Sequence, residues 1–215
     1  MTDSYQTIAG PSTGEFKDRG SKFIAYAWPV RNETEAQSHL EKLRKEHFKA
    51  RHHCFAWRFE PDGSRFRSND DGEPSGTAGR PILGQIDSFS LTNVMVVVVR
   101  YFGGTLLGTS GLINAYREAA AEALRNAEIV ECLVKDSFLL DFDYALMPDV
   151  MNALKKLEIE LVHQNFEQRG QIEIGIRQSE TAAMLLRFKA HLWKVSEEEA
   201  EGVDWPSGLE IKQQN

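Results

Sequence analysis

A run of six apolar residues, Val94–Val99, limits the possible folds more than any other stretch of this sequence. All but one of the six are valines, whose β-branched side chains favour strands. A strand without polar alternation is covered on both faces, whereas a membrane-spanning helix needs about 20 apolar residues. We therefore predict a strand over 94–101 that is buried on both faces, in a protein that does not enter a membrane.

The chain of 215 residues is 41% apolar and 27% charged, which is ordinary for a globular protein. An Ala-rich helix end at 118–127 is followed by a new strand pattern, so we predict domains at 1–132 and 133–215. The second domain has the order strand-helix-strand-strand-helix-strand, which is the ferredoxin-like βαββαβ plan. The predicted fold class is α+β, with an N-terminal α/β domain.

Within the first domain, the pattern predicts alternating strands and helices. The expected elements are a hairpin over 15–30, a helix from Asn32 or Thr34 to about His47, a strand over 54–59, a loop over 69–80, and helices over 81–89 and 109–126.

The cysteine content and the N-terminal residues favour a cytoplasmic protein, and the charge distribution is compatible with an anionic partner. The net charge is −7, yet residues 42–67 hold eight basic residues against three acidic ones. Such a basic stretch can present a patch to nucleic acid, or it can be a solvated surface. Two cysteines are too few for a disulfide framework, and residues 1–10 lack the pattern of a signal peptide.

The first of three candidate segments follows the buried strand and is rich in glycine. It contains Arg100, Tyr101, Gly103, Gly104, Gly108 and Gly111, and then a helix. Glycines permit tight turns, a helix start offers unpaired N–H groups, and an arginine adds positive charge, so a phosphate or a nucleic-acid backbone fits here. It is not a Walker A loop. The alternative is a tight strand-to-helix connection whose glycines serve packing.

The second segment is a polar loop, and its candidate side chains are Asp70, Asp71, Glu73, Ser75 and Thr77. The carboxylates could bind a hard cation such as Mg²⁺ or act as acids and bases, although their spacing is not that of an EF-hand. They could instead pair with Arg80 and Arg100 and shape the loop, which we favour. The hydroxyls lack an identifiable base. We predict neither a metal nor a cofactor.

The third segment is Arg51-His52-His53-Cys54. Adjacent side chains on a strand point to opposite faces, so we expect one histidine to be buried. Either histidine could act as an acid or base only with a carboxylate in reach.

Together, the three segments resemble the YigZ/IMPACT family over residues 15–130, as does the stretch Glu15…Lys17…Ser21-Lys22-Phe23-Ile24. Gly20 and Ser110 depart mildly from the family pattern. The resemblance implies an N-terminal fold like the second domain of a small-subunit ribosomal protein, and a C-terminal domain like the later domains of elongation factor G. It also implies translational control for the eukaryotic branch, through a coactivator of a stress-responsive kinase. For the bacterial branch it implies binding to nucleic acid or the ribosome.

We therefore predict a non-enzymatic, translation-associated protein that contacts RNA or the ribosome. Arg51, Arg80, Arg100 and helix-start amides would bind phosphates, and Tyr101 or Phe102 would stack on a base. One alternative is an enzyme that binds a small molecule or a nucleotide phosphate at the Gly-rich loop. Another is an interaction module for a translation-control protein.

Overall fold

The computed structural model describes residues 3–214, which form two compact units. The N-terminal unit ends at Cys132 and the C-terminal unit begins at Leu133. Both units combine helices with antiparallel sheets, and this confirms the predicted α+β class. Within residues 3–214, every helix is too short or too polar to span a lipid bilayer.

The N-terminal unit is built around a five-stranded sheet with the strand order β2-β3-β6-β4-β5, while β1 pairs with β7 in a separate ribbon. Its elements are β1 (Ser4–Ile8), β2 (Ser12–Asp18), β3 (Ser21–Pro29), α1 (Glu33–Glu46), β4 (His52–Phe59), β5 (Arg65–Asn69), α2 (Gly79–Ser88), β6 (Val94–Tyr101), α3 (Gly108–Arg125) and β7 (Ile129–Leu133).

Strand β6 is the centre of this sheet and pairs antiparallel with β3 and β4. Every residue from Val94 to Arg100 is buried, as the run of valines predicts. One face of the sheet packs against α2 and α3, with Val96 and Val98 in that core. The other face packs against α1, with Val97 and Val99 in a second core. The sheet is therefore covered on both sides at β6, and the end of β6 lies between the two layers.

The C-terminal unit is a four-stranded antiparallel sheet with the strand order β11-β8-β10-β9. Its elements are β8 (Lys135–Phe142), α4 (Met147–Lys156), β9 (Glu160–Phe166), β10 (Gly170–Arg177), α5 (Thr181–Trp193), α6 (Glu197–Glu201) and β11 (Leu209–Gln214). Side chains of α4 and α5 pack with the sheet in a core of their own. The order of strands and helices is the expected one, with α6 as an addition.

Candidate functional site

A pocket of about 450 Å³ lies at one end of the five-stranded sheet, where the three candidate segments meet. The antiparallel register places His52 at the start of β4 opposite Arg100 near the end of β6. The pocket, called the α3 pocket below, is lined by Arg51, His52, Glu73, Pro74, Arg100, Phe102, Leu106, Leu107, Gly108, Thr109 and Leu112. The sheet register thus brings together residues that are far apart in the sequence.

A buried ion pair lines the inner side of the α3 pocket. Arg100 donates from Nη1 to Oε1 of Glu73 at 2.5 Å, and the two side chains are only 6% and 4% exposed. Tyr116 on α3 donates its hydroxyl to the same carboxylate oxygen at 2.8 Å. For Glu73, this contact is the alternative in which a loop carboxylate pairs with Arg100. Because Glu73 balances its charge, Arg100 has less to offer a phosphate than an unpaired arginine has.

Arg100 nevertheless keeps one donor without an acceptor. Its Nε is buried and meets no hydrogen-bond partner among the residues that the structure describes. The guanidinium carbon is near two aromatic rings, 5.4 Å from the centroid of Phe23 and 5.6 Å from that of Phe102. A buried donor left unpaired is unfavourable by about 1–3 kcal/mol, so an acceptor from a bound water or ligand would stabilise it.

The start of α3 forms another side of the pocket. Gly108 begins the helix with a positive φ of 70°. Within residues 3–214, no side chain caps this end, because Leu107 occupies the cap position. The first N–H groups of a helix lack partners inside it, and the helix dipole adds partial positive charge there. With Arg51 exposed beside it, the start of α3 is suited to an anion.

His52 and His53 face opposite sides of β4, as strand geometry predicts. His52 lines the pocket, donates from Nδ1 to the carbonyl oxygen of Asp71 at 2.7 Å, and places Nε2 3.8 Å from Glu73. His53 is buried on the side of α1, and its backbone N–H donates to the carboxylate of Asp71 at 2.7 Å. Burial lowers the pKa of His53 and so favours its neutral form.

The three loop carboxylates each have a different partner. Asp70 accepts hydrogen bonds from three backbone N–H groups, those of Gly76, Ala78 and Gly79. Asp71 pairs with Arg44 at 3.1 Å, while Glu73 pairs with Arg100. Among residues 3–214 there is no group of three or more His, Cys, Asp or Glu side chains arranged to hold a metal ion.

Although burial raises the pKa of Asp70, these N–H groups and the charge of Arg80 outweigh it and lower the value overall. Asp70 is therefore an ionised carboxylate that holds the loop and the start of α2. Arg80 itself is exposed on α2, outside the set of side chains that line the pocket.

The remaining hydroxyl and aromatic candidates have structural partners or lie elsewhere. Thr77 is buried and donates to the carbonyl oxygen of Pro74 at 2.6 Å, whereas Ser75 is exposed. Tyr101 faces α1, where its hydroxyl is 2.8 Å from Nδ1 of His47. Of the two aromatic residues expected to stack on a base, only Phe102 lies at the pocket.

The glycines after β6 serve packing as well as turns. A Cβ on Gly103 would lie 1.9 Å from the backbone of Gly20, so a side chain does not fit there. Gly104, like Gly108, has a positive φ. A Cβ on Gly111 would come within 2.9 Å of Leu107. Packing and turn formation thus each explain part of the Gly-rich segment.

Sequence reasoning missed Tyr116, although it completes the buried network with Glu73. A tyrosine on the apolar face of a helix is typical of an ordinary core. Only the partner of its hydroxyl reveals its role here, and no sequence pattern encodes that contact.

Comparison with known proteins gives a consistent result. The Impact N-terminal domain model matches residues 19–124. The IMPACT family member YvyE of Bacillus subtilis is 33% identical over 183 residues, which are 85% of this chain and 84% of that protein. The IMPACT family member YigZ of Escherichia coli is 31% identical over 192 residues, which are 88% of this chain and 92% of that protein.

A solved structure described as a hypothetical protein has a TM-score of 0.72 and 29% sequence identity to this chain. The match covers 98% of this chain and 97% of the solved one. The α+β fold therefore has a counterpart over nearly the whole chain.

Proposed function

Because the chain belongs to the IMPACT family, we propose that it acts in translation-related regulation as a binding protein that contacts RNA, free or in the ribosome. The resemblance to this family implies translational control in its eukaryotic branch and nucleic-acid or ribosome binding in its bacterial branch. The observation that carries the RNA part of the proposal is the uncapped start of α3 beside Arg51 in the α3 pocket.

The first support for RNA binding is electrostatic. Backbone N–H groups at a helix start and an exposed arginine are the donors that proteins use for phosphate oxygens. The chain as a whole carries −7, of which residues 133–215 account for −6, with nine basic and fifteen acidic residues. A small local contact fits this charge distribution better than a broad basic surface does.

The second support is the apolar surface next to these donors. Phe102 is 45% exposed and Leu106 is 82% exposed, and both line the α3 pocket. Exposed aromatic side chains beside phosphate donors are typical of single-strand binding, because every base has a face on which a ring can stack. Phe102 therefore takes the stacking role in this proposal.

Co-sedimentation with purified ribosomes and titration with single-stranded RNA, each over a salt series, test the proposal. We expect binding to weaken as salt rises, because phosphate contacts release counterions. Arg51→Ala should weaken binding and lower the slope of log affinity against log salt by about 0.7–0.9, the value for one phosphate contact. The matched control is Arg117→Ala, which removes an exposed arginine about 13 Å further along α3.

Two outcomes would overturn the proposal. One is no binding to ribosomes or RNA even at low salt. The other is an equal loss of binding in both variants, since this would indicate a general charge effect. Arg100→Ala is a poor test, because it leaves Glu73 as a buried charge without its partner and so alters folding.

A further inference from the structure

We propose that the α3 pocket takes one terminal nucleotide, with its phosphomonoester group at the start of α3 and its base against Phe102 and Leu106. The inference rests on the proposed function, because it specifies which part of an RNA the pocket binds. It adds a ligand class, a nucleotide that ends in a phosphate, and an orientation for that ligand.

The size of the pocket favours a single nucleotide. Its volume of about 450 Å³ lies in the range of roughly 300–1,000 Å³ that is common for small-molecule sites. A phosphate in the middle of a strand has a nucleotide on each side, and these two need more room than a single nucleotide does. A chain end or a free nucleotide can enter it.

The charge of the pocket favours a terminal phosphate over an internal one. An internal phosphodiester carries one negative charge, whereas a phosphomonoester carries about −1.5 to −2 at pH 7. Glu73 does not oppose this group, because Arg100 balances its charge at 2.5 Å. Arg51 and the first amides of α3 then leave the pocket with an excess of positive charge.

Arg100 provides an independent indication of a ligand. It is 95% buried, since its exposed fraction is 5%, and it lines the pocket. Within residues 3–214, its Nε has no acceptor. Because the Arg100 side chain is part of the pocket wall, a ligand there lies next to this guanidinium. A phosphate or base oxygen would supply the missing acceptor.

The apolar side of the pocket fits a base. Pro74, Phe102, Leu106, Leu107 and Leu112 line it, and Phe102 and Leu106 are exposed. Apolar walls with a few convergent polar groups are the common form of a ligand site. Inorganic phosphate would leave these walls uncovered, and a nucleotide covers them.

The same chemistry could come from an RNA end or from a free nucleotide. We would titrate the full chain, by calorimetry, with hexauridylate without a terminal phosphate, with a 5′-phosphate and with a 3′-phosphate, and with uridine monophosphate. We expect one phosphorylated hexauridylate to bind at least about tenfold more tightly than the unphosphorylated one, the gain typical of a charge-assisted hydrogen bond. Arg51→Ala should remove most of this preference, and Arg117→Ala should keep it.

A measurement on the unmodified protein guards against a folding defect in the variants. The backbone amide resonances of Thr109 and Ser110, in the first turn of α3, should shift on addition of uridine monophosphate. Amides near Arg117 in the same helix should not respond, which gives an internal control.

The outcomes separate this inference from the proposed function. If all three hexauridylates bind equally and the α3 amides do not respond, RNA binding stands and the terminal-nucleotide inference is wrong. If uridine monophosphate shifts the α3 amides while no oligonucleotide binds, the pocket is a free-nucleotide site and the RNA proposal is wrong. If nothing binds, both are overturned.

Discussion

Among single residues, Glu73 connects the candidate site most directly to the stability of the N-terminal unit. Its carboxylate accepts from both Arg100 and Tyr116, and all three side chains are buried. A buried ion pair adds little net stability as a whole, yet the loss of one partner leaves the other charge uncompensated. The substitution of Glu73 therefore affects folding and the pocket together.

We expect Glu73→Gln to lower the free energy of unfolding by about 3–5 kcal/mol, because the charge of Arg100 loses its partner. Urea denaturation would measure the loss. Glu33→Gln is the control, since Glu33 is 48% exposed where it pairs with Arg65 on the surface. Exposed pairs contribute about 0–1 kcal/mol, and similar losses in the two variants would contradict the role of the buried pair.

Two glycines should respond to alanine in opposite directions. At Gly103 a Cβ would lie 1.9 Å from the backbone of Gly20, so Gly103→Ala forces the two chain segments apart and lowers the melting temperature. Gly84 lies within α2, where a Cβ would meet nothing within 4 Å. Gly84→Ala should therefore raise the free energy of unfolding by about 0.5–1 kcal/mol. Thermal unfolding of both variants tests this pair, and a stabilised Gly103→Ala would refute the close packing.

For single residues, the sequence predicts those side-chain orientations that strand geometry determines. The opposite orientations of His52 and His53 follow from their adjacent positions on β4. The sequence alone could not identify the partner of Arg100, because Glu73 is 27 residues away. Only the folded loop brings Oε1 of Glu73 to 2.5 Å from Nη1 of Arg100. For the same reason, the sequence could not separate an arginine that binds a ligand from one that holds a loop.

Among the elements, α2 begins at a residue that cannot cap it. Its cap position is Ala78, and its first N–H groups are satisfied instead by Asp70, which lies in the loop before it. Asp70 thus takes the role of a capping residue from eight positions upstream of Ala78. This contact couples the conformation of the loop before α2 to the start of that helix.

We expect Asp70→Asn to lower the free energy of unfolding at pH 7 by about 1–3 kcal/mol, because asparagine has one acceptor oxygen and no charge where both carboxylate oxygens accept backbone N–H groups. The folded pKa of Asp70 lies below its ordinary value, so its ionised form stabilises the fold above about pH 4, the unfolded value. That stability is lost as pH falls through the folded pKa, and the difference between wild type and variant should shrink there.

Denaturant unfolding from pH 7 down to pH 3 would measure the effect of Asp70. Asp204→Asn is the control, because Asp204 is exposed in the C-terminal unit. A difference between wild type and Asp70→Asn that stays constant over this range would show that the charge of Asp70 is not involved.

Elements with strong local patterns were predicted and those held by distant pairing were not. Strand β6 has the predicted bounds, Val94–Tyr101, because a run of valines suits only a buried strand. Strand β5, Arg65–Asn69, has largely exposed, polar side chains and exists because it pairs with β4. Strands β1 and β7 pair across more than a hundred residues of sequence, which no local pattern reports.

For the molecule as a whole, separate cores imply separate folding units. The N-terminal unit has one core on each face of its five-stranded sheet, and the C-terminal unit has a core of its own. Strand β7, which ends at Leu133, pairs with β1 and belongs to the N-terminal unit in its hydrogen bonding. Each unit can therefore be tested as a separate fragment.

We expect a fragment of residues 1–134 to fold on its own, since it contains β1–β7, α1–α3 and every residue that lines the α3 pocket. A cooperative thermal transition and well-dispersed amide resonances would confirm this. A fragment that stays unfolded, although the full chain folds under the same conditions, would show that residues 135–215 are needed for the first unit.

The end of β6 has a consequence for the rates of amide hydrogen exchange. Val94–Arg100 are buried and bonded to strands on both sides, so their amides exchange only when the whole unit opens. The next residues, Phe102–Leu106, are exposed, and their amides need only a local opening. The chain thus passes from its slowest to some of its fastest exchange within a few residues. The segment beside the pocket can rearrange around an incoming molecule while the backbone amides of the central strand stay protected from exchange.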